Sequence, residues 1–389
     1  MKKLFLILTL AFASYIVDAQ IINLVKDDSY ASTEDFDFFD ALGQAGTLYN
    51  VKKLTVFDDG TAMISHTNEN RYSLFDENGK HLKDIEIYFE DGKQKPINLQ
   101  PVYGKINGLY FTRNNSIGHL YFFNDNGLIV KNICIDFSAY DMVAMANNKI
   151  ALYGGTSWKK QWRYFVAILD VETEKYHLIY DDFEELTMFK DEYVIYSQAL
   201  INHRIEMVKI SDDILAFAAP DKGKLLLYNF KENSLIEKKL DWKPKTLSVD
   251  EQKRLQSESI KKYKRELANF QNNPDLQDHV ERQREFVNML ENGMNYITGP
   301  LTVSWFTSAM KSNGDNILFF EDPEEEGKNM FQTYSVGQNK TISQNSFQCA
   351  DFDLSITKNK FVIHNGYVYG IQKVKGSEEE LRLVRFKMK

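Results

Sequence analysis

The sequence predicts an all-β protein, a six-bladed β-propeller carrying an inserted helical hairpin, and three observations predict it. Short β-prone runs alternate with Asp, Asn and Gly turns along most of the chain. The ends of successive third strands fall at Phe75, Phe123 and Leu169, 48 and 46 residues apart, and a four-strand unit recurring at that interval is the mark of a propeller blade. One segment, residues 248–294, abandons the two-residue alternation for helical spacing. The 389 residues are 43% hydrophobic and 26% charged, a globular composition that excludes a wholly disordered or collagen-like chain.

The first element is a leader. Lys2 and Lys3 precede the apolar run from Leu4 to Ile16, and Val17-Asp18-Ala19 closes it with residues a signal peptidase reads. A signal peptide over residues 1–19 is expected, with Gln20 as the new terminus and a periplasmic or secreted product. The run is shorter than the roughly 20 apolar residues that span a bilayer, so no integral membrane insertion is expected after cleavage. The whole chain carries 47 Lys plus Arg against 55 Asp plus Glu, a formal charge of -8. Losing two lysines and one aspartate with the leader leaves the mature chain at -9. Cys134 and Cys349 are too few for a disulfide scaffold and read as buried free thiols, although an exported chain could pair them.

The units follow in order. Lys53 to Phe57, Thr61 to Ser65 and Arg71 to Phe75 are joined by Asp58-Asp59-Gly60 and the stretch before Arg71, and Asp76-Glu77-Asn78-Gly79 turns the chain again. Connections this short make the strands antiparallel. Gly108 to Thr112, His119 to Phe123 and Leu128 to Ile135 repeat the layout around Asn124-Asp125-Asn126-Gly127; Met142 to Ala146, Ile150 to Gly154, Tyr164 to Leu169 and Tyr176 to Tyr180 repeat it again. Later third strands at Leu225 to Asn229, Phe331 to Val336 and Leu381 to Phe386 bring the count to six blades. Regrouping Leu186 to Phe189 and Tyr193 to Ser197 with Ile205 to Ile210 would give seven. The last unit has only three good strands, and Ile21 to Val25 is the expected fourth, tying the two ends of the chain into one sheet.

Between blades, Ser248-Val249-Asp250-Glu251 resembles a capping box, and Leu255, Ile260, Tyr263, Leu267 and Phe270 trace one stripe. Asn273-Pro274 opens a second helix whose stripe is Leu276, Val280, Val287, Leu290 and Met294. These stripes first serve to hold the helices to each other or to the sheets; a lid or partner-binding arm is the functional alternative.

The leader, the β units and their Asp/Asn/Gly turns together resemble exported six-bladed, TolB-like propellers of uncharacterised type found in Bacteroidota, over residues 20–389 apart from the helical insertion. The resemblance implies ligand or protein binding at the cell envelope. It carries no family site residue onto a position of this chain.

Chemistry is sparse. The richest segment is Gly154-Gly155-Thr156-Ser157-Trp158-Lys159-Lys160-Gln161-Trp162-Arg163, a turn between two strands. Trp158 and Trp162 are suited to stack on a sugar, and Lys159 and Arg163 to engage an anionic group. In Asp35-Phe36-Asp37-Phe38-Phe39-Asp40 the alternation sets Asp35 and Asp37 on one side of a strand as a candidate acidic site. The run Glu321-Asp322-Pro323-Glu324-Glu325-Glu326 reads as a solvated loop, and neither it nor the Asp/Asn turns specifies a metal site. The seven histidines form no HExxH pair, and no nucleophile elbow, phosphate loop or dinucleotide fingerprint is present, so no cofactor is implied. The negative charge argues against a nucleic-acid partner. The expected function is therefore an exported binding module for a carbohydrate, a peptide or an envelope protein. The alternatives are a periplasmic hydrolase or lyase with carboxylates at the propeller axis and a structural accessory of an envelope assembly.

Overall fold

The computed structural model describes residues 19–31, 51–66, 71–90, 99–114, 118–158, 161–185, 189–190, 193–195, 205–219, 224–240, 245–270, 277–303, 309–320, 329–348, 361–373 and 381–389. The chain divides into two units, one of residues 1–132 with 307–389 and the other of residues 133–306. The leader, Asp35, Asp37 and the acidic run at 321–326 lie outside the described residues.

The first unit opens with β1 (Ala19–Lys26). An antiparallel sheet follows: β2 (Val51–Val56), β3 (Ala62–His66), β4 (Arg71–Phe75) and β5 (His81–Glu86). A second comprises β6 (Gly104–Ile106), β7 (Leu109–Arg113), β8 (His119–Phe123) and β9 (Ile129–Cys134). Their turns form for local reasons. Asp76 Oδ1 accepts the backbone N–H of Asn78 and of Lys80, and Asn124 Oδ1 accepts those of Asn126 and Leu128, so each side chain closes its own turn. Asn107 and Gly108 both have positive φ, as the tightest hairpins require. Gly127 also has positive φ, and a Cβ there would stand 1.9 Å from the Glu86 carbonyl oxygen; only glycine admits the strand that passes it.

In the second unit β10 (Ser138–Met145), β11 (Lys149–Trp158), β12 (Gln161–Asp170) and β13 (Lys175–Glu185) make one antiparallel sheet. After the short pair β14 (Phe189–Lys190) and β15 (Tyr193–Val194), another sheet contains β16 (Glu206–Ser211), β17 (Ile214–Ala219), β18 (Lys224–Asn229) and β19 (Ser234–Lys239). These two sheets pack face to face through Ala151, Tyr153, Val166 and Ile168 on one side and Met207, Leu215, Phe217 and Leu226 on the other. Strand β20 (Lys245–Leu247) leads into α1 (Val249–Phe270) and α2 (Gln277–Gly293), and β21 (Leu301–Val303) pairs back on β20.

The helical pair stands where the sequence places it, and its capping box is intact: Ser248 N–H donates to Glu251 Oε2 at 2.7 Å and Glu251 N–H donates to Ser248 Oγ at 3.2 Å. The face α1 buries differs from the expected stripe. Among its described side chains Gln252, Gln256 and Ser259 are the buried ones, and Gln256 Nε2 donates to the Leu290 carbonyl of α2 at 2.7 Å. Leu255 and Ile260 are only half-buried. Helix α2 does bury Val280, Val287 and Leu290, and it packs on β15.

The chain returns to the first unit with β22 (Ala309–Asn313), β23 (Asn316–Phe320), β24 (Asn329–Ser335) and β25 (Lys340–Gln348), then β26 (Phe361–His364), β27 (Tyr367–Lys373) and β28 (Leu381–Met388). Here the six- or seven-blade count fails. Among the described residues four separate four-stranded sheets are present, and the last seven strands join with β1 into one eight-stranded sheet, ordered β22-β23-β24-β25-β1-β28-β27-β26. The cause is β1. Ala19–Asn23 run parallel to β25, while Leu24–Lys26 run antiparallel to β28, so hydrogen bonding continues across what the sequence counts as two blades. The end strands of this sheet approach each other, with Lys311 Nζ of β22 4.7 Å from the Phe361 ring centroid of β26. Tyr193 and Val194, assigned to a seventh blade in the regrouping, belong instead to the separate β14–β15 pair. The expected pairing of the first strand with the last is present at Leu24–Met388, Val25–Lys387 and Lys26–Phe386.

A clasp secures that junction. The Arg385 guanidinium of β28 binds Asp27 Oδ2 through Nε at 3.0 Å and through a terminal nitrogen at 2.6 Å, and lies 4.4 Å from the Tyr30 ring centroid and 4.8 Å from that of Tyr367. It also reaches the Glu77 carbonyl in the β4–β5 turn at 3.4 Å. Tyr30 and Tyr369 meet edge to face in the core that Leu54, Ile64 and Phe75 share with Ile371 and Leu383. Cys134 is free and exposed at the end of β9, which corrects its reading as a buried thiol.

Candidate functional site

Strands β11, β12 and β13 are 10, 10 and 11 residues long, and β10 pairs with β11 only as far as Gly155. The hairpin end from Thr156 to Arg163 therefore overhangs the fourth strand. Trp158 stands opposite Gln161 and Trp162 opposite Ser157, so the structure places both tryptophans at the tip of one hairpin. Lys159 lies outside the described residues.

Below the tip, two glycines make room for aromatic rings. A Cβ at Gly154 would fall 2.5 Å from the Phe137 ring, and one at Gly155 would fall 3.1 Å from the Tyr140 ring. Because neighbouring strand positions face opposite sides, β10 and its lead-in lay one ring on each side of the sheet. Phe137 packs edge-on against Phe165 at 4.8 Å and Tyr176 at 5.1 Å, and the Tyr176 hydroxyl donates to Asp136 Oδ1 at 2.5 Å. Burial, and then that carboxylate, push the Tyr176 phenol up to about 12. On the other side Tyr140 is the extra residue of a β-bulge between Ala139 and Asp141. Bulges re-aim side chains, and this one leaves Tyr140 37% exposed. Its ring centroid is 5.3 Å from that of Tyr153 and 6.3 Å from that of Tyr164, while Tyr153 and Tyr164 are 6.2 Å apart. Tyr153 is buried, Tyr164 is half-buried and Tyr140 is open, a graded aromatic ledge.

Arg163 is paired with Asp181 of β13. Its Nε donates to Asp181 Oδ1 at 2.7 Å and a terminal nitrogen binds Asp181 Oδ2. This fork-to-fork pairing, which lies partly open to solvent, raises the guanidinium's proton affinity. The sequence missed Tyr140 and Tyr164 as a pair; the adjacent glycines in a strand were the available signal, since such glycines mark close approach.

A second constellation lies in the first unit. Ser73 Oγ is 2.9 Å from His66 Nε2 and 2.6 Å from Asp84 Oδ1, His81 Nε2 is 3.1 Å from the same oxygen, and Arg71 binds Asp84 Oδ2 through Nε at 3.1 Å and a terminal nitrogen. Serine, histidine and aspartate in contact invite comparison with a nucleophilic triad, and counting protons decides against one. Burial alone would raise the Asp84 carboxyl, but hydrogen bonds from His81, Ser73 and Arg71 hold it well below the ordinary carboxylate range. As a carboxylate it can only accept, so Ser73 donates its single proton to Asp84. The 2.9 Å contact is then His66 Nε2–H donating to Ser73, which places the imidazole lone pair on Nδ1. That nitrogen is buried without a hydrogen-bond partner. A general base would have to accept from the serine; His66 does the reverse. Burial lowers its pKa to about 4, with the Asp84 charge opposing and Arg71 adding to the fall.

Among the described residues, no group of three or more His, Cys, Asp or Glu side chains is arranged to hold a metal ion. None of the described helices is long and apolar enough to cross a membrane.

No family model and no curated protein matches the chain. Solved structures resemble it distantly. A member of the duf4221 family from Bacteroides vulgatus has a TM-score of 0.49 at 13% identity, covering 95% of this chain and 98% of that one. Virginiamycin B lyase from Staphylococcus aureus has a TM-score of 0.41 at 10% identity, covering 88% and 97%. The protein U3-55K has a TM-score of 0.44 at 8% identity, covering 88% and 96%. The four separate four-stranded sheets and the one eight-stranded sheet support neither six blades nor a TolB-like type. Likeness this distant transfers no activity, because one scaffold hosts unrelated functions.

Proposed function

We propose that the chain is an exported binding module whose β10–β13 sheet presents an aromatic ledge to a carbohydrate. The observation that carries this reading is Tyr140, set out from its strand by a bulge, 37% exposed, and flanked by Tyr164 beneath a hairpin tipped by Trp158 and Trp162. Aromatic rings offer the apolar face of a sugar a large contact at small entropic cost, and a rigid sheet holds them ready. The catalytic alternative needs a carboxyl held protonated near neutrality. Among the described residues each carboxyl with a displaced pKa is displaced downward: Asp27, Asp59, Asp84, Asp170 and Asp212. Export rests on the leader sequence, and the amino-terminal sequence of the protein recovered from cells is expected to begin at Gln20.

Glycan-array binding compared between the intact protein, Tyr140→Ala and a Trp158→Ala/Trp162→Ala double variant tests the ledge. Both variants are expected to lose at least about 1 kcal/mol of binding, roughly a fivefold weakening. Unchanged glycan binding in both, or binding to peptide arrays alone, would overturn the carbohydrate reading.

A further inference from the structure

The packing of the helical pair sets a cluster of cations on its outer side. Helix α1 turns Gln252, Gln256 and Ser259 inward, and Tyr263 meets Phe286 of α2 edge to face at 5.1 Å. Lys261 and Arg265 each stand nine positions beyond Gln252 and Gln256, about half a turn around the axis, so the contacts that bury the glutamines direct these cations outward. Lys261, Lys262, Lys264 and Arg265 are all exposed. Residues 259–265 read Ser-Ile-Lys-Lys-Tyr-Lys-Arg, with no acidic side chain among them, in a chain whose formal charge is -8.

Cations serve a helix when they pair with a carboxylate or when they lie in its last turn. Elsewhere on the pair the first happens: Arg254 binds Glu258 one turn away at 2.7 Å, and Lys264 reaches Glu291 of α2 at 2.6 Å. Among the described residues no carboxylate pairs with Lys261, Lys262 or Arg265. Arg265 Nε donates to the Lys261 carbonyl at 3.4 Å, and Lys262 Nζ lies 5.9 Å from the neighbouring Tyr263 ring, contacts that leave both charges standing. The last turn of α1 holds no basic residue, so the helix dipole, which acts only within that turn, does not account for the cluster either. Like charges three and four positions apart repel, and these three gather within about 6 Å of helix length.

We propose that Lys261, Lys262 and Arg265 bind an acidic polysaccharide, a chain of uronic acid or sulfated sugars. Charge complementarity asks for a polyanion, since exposed cations hold a lone anion weakly and gain by acting together along a polymer. The choice of carbohydrate rests on the reading of the aromatic ledge, which belongs to the same unit. A membrane surface suits the face less, because a helix lying on lipid turns an apolar side to it, and Leu255, Ile260 and Leu267 of α1 are half-buried in the protein.

Affinity electrophoresis of the full chain through gels containing polygalacturonate, dextran sulfate or neutral dextran provides the test. At least one of the two anionic polymers is expected to retard the intact chain more than neutral dextran does. Lys261→Gln/Lys262→Gln/Arg265→Gln is expected to bind that polymer roughly tenfold more weakly, through the loss of three exposed pairs. Glutamine is a good helix former; should this variant nevertheless not fold, Lys262→Gln alone, expected to weaken binding about twofold, takes its place. Lys80→Gln/Lys387→Gln/Lys389→Gln removes as much charge from scattered exposed positions and is expected to bind as the intact chain does. Weakening in the helix variant and in Tyr140→Ala alike supports both readings; weakening in the helix variant alone supports the cationic face and counts against the ledge. No retardation by either anionic polymer, equal weakening in the scattered variant, or undiminished affinity in the folded helix variant overturns the proposal. Tighter binding to phosphatidylglycerol vesicles than to either polymer assigns the face to a membrane and overturns it as well.

Discussion

Acidification from about pH 7 to about pH 5 is expected to loosen the β2–β5 sheet specifically, because His66 must stay neutral there. Its ordinary value of 6.5 falls to about 4 in the folded protein, so between those values the unfolded chain takes up a proton that the folded chain refuses. The stabilisation is fully present above pH 6.5 and is lost as the pH falls through the folded value. The full difference is worth about 3 kcal/mol, of which about 2 kcal/mol is gone by about pH 5. Little solvent screening applies, since His66 is 6% exposed. Protonation would add a charge beside Arg71, with Asp84 and His81 the other ionisable groups in the network. Asp84 loses its own stabilising role only below its ordinary carboxylate range, so the two effects occupy different pH windows. Tryptophan fluorescence cannot follow this event, because all four tryptophans lie in residues 133–306. Amide hydrogen exchange of the peptide spanning residues 62–86 can. Protection there, corrected for the intrinsic pH dependence, is expected to fall roughly 30-fold at about pH 5. In His66→Gln, which keeps a donor toward Ser73, that extra fall is expected to vanish. An equal fall in His66→Gln would refute the reasoning.

Two further outcomes follow from the packing. Arg385→Met, which removes the cation that pairs with half-buried Asp27 and lies against the Tyr30 and Tyr367 rings, is expected to cost about 1–2 kcal/mol; the check is loss of exchange protection in residues 19–26 ahead of the other strands. Gly154→Ala places a methyl 2.5 Å from the Phe137 ring and is expected to cost about 1–3 kcal/mol by overpacking, read as a lowered unfolding midpoint by tryptophan fluorescence.

What the sequence reveals here is mostly local. Asp76 and Asn124 close their turns through their own side chains, the Ser248–Glu251 capping box lies within one helical turn, and each is visible without knowing its surroundings. Strand identity and the pairing of β1 with β28 are legible for a related reason, since a three-stranded remainder asks for a fourth. The number of separate sheets is not, because β1 spends its first half on a different neighbour and nothing in Ala19–Lys26 announces the switch. The stripe on α1 misleads because Gln252 and Gln256 enter the interior by satisfying backbone carbonyls, an arrangement that hydrophobic periodicity does not detect. The candidate acid pair at Asp35 and Asp37 lies outside the described residues. The His66–Ser73–Asp84 network spans separations that only folding closes, and Arg163 was legible as a cation while its partner Asp181, on the next strand, was not.

The double allegiance of β1 imposes an order of assembly. A chain emerging amino-terminus first presents this strand hundreds of residues before either of its partners, β25 and β28. Until then Ile21, 61% exposed even in the finished molecule, sits on a naked ribbon with both edges unsatisfied, the kind of segment that recruits stray strands. Removal of β28 is therefore expected to unpair Leu24–Lys26 of β1 as well.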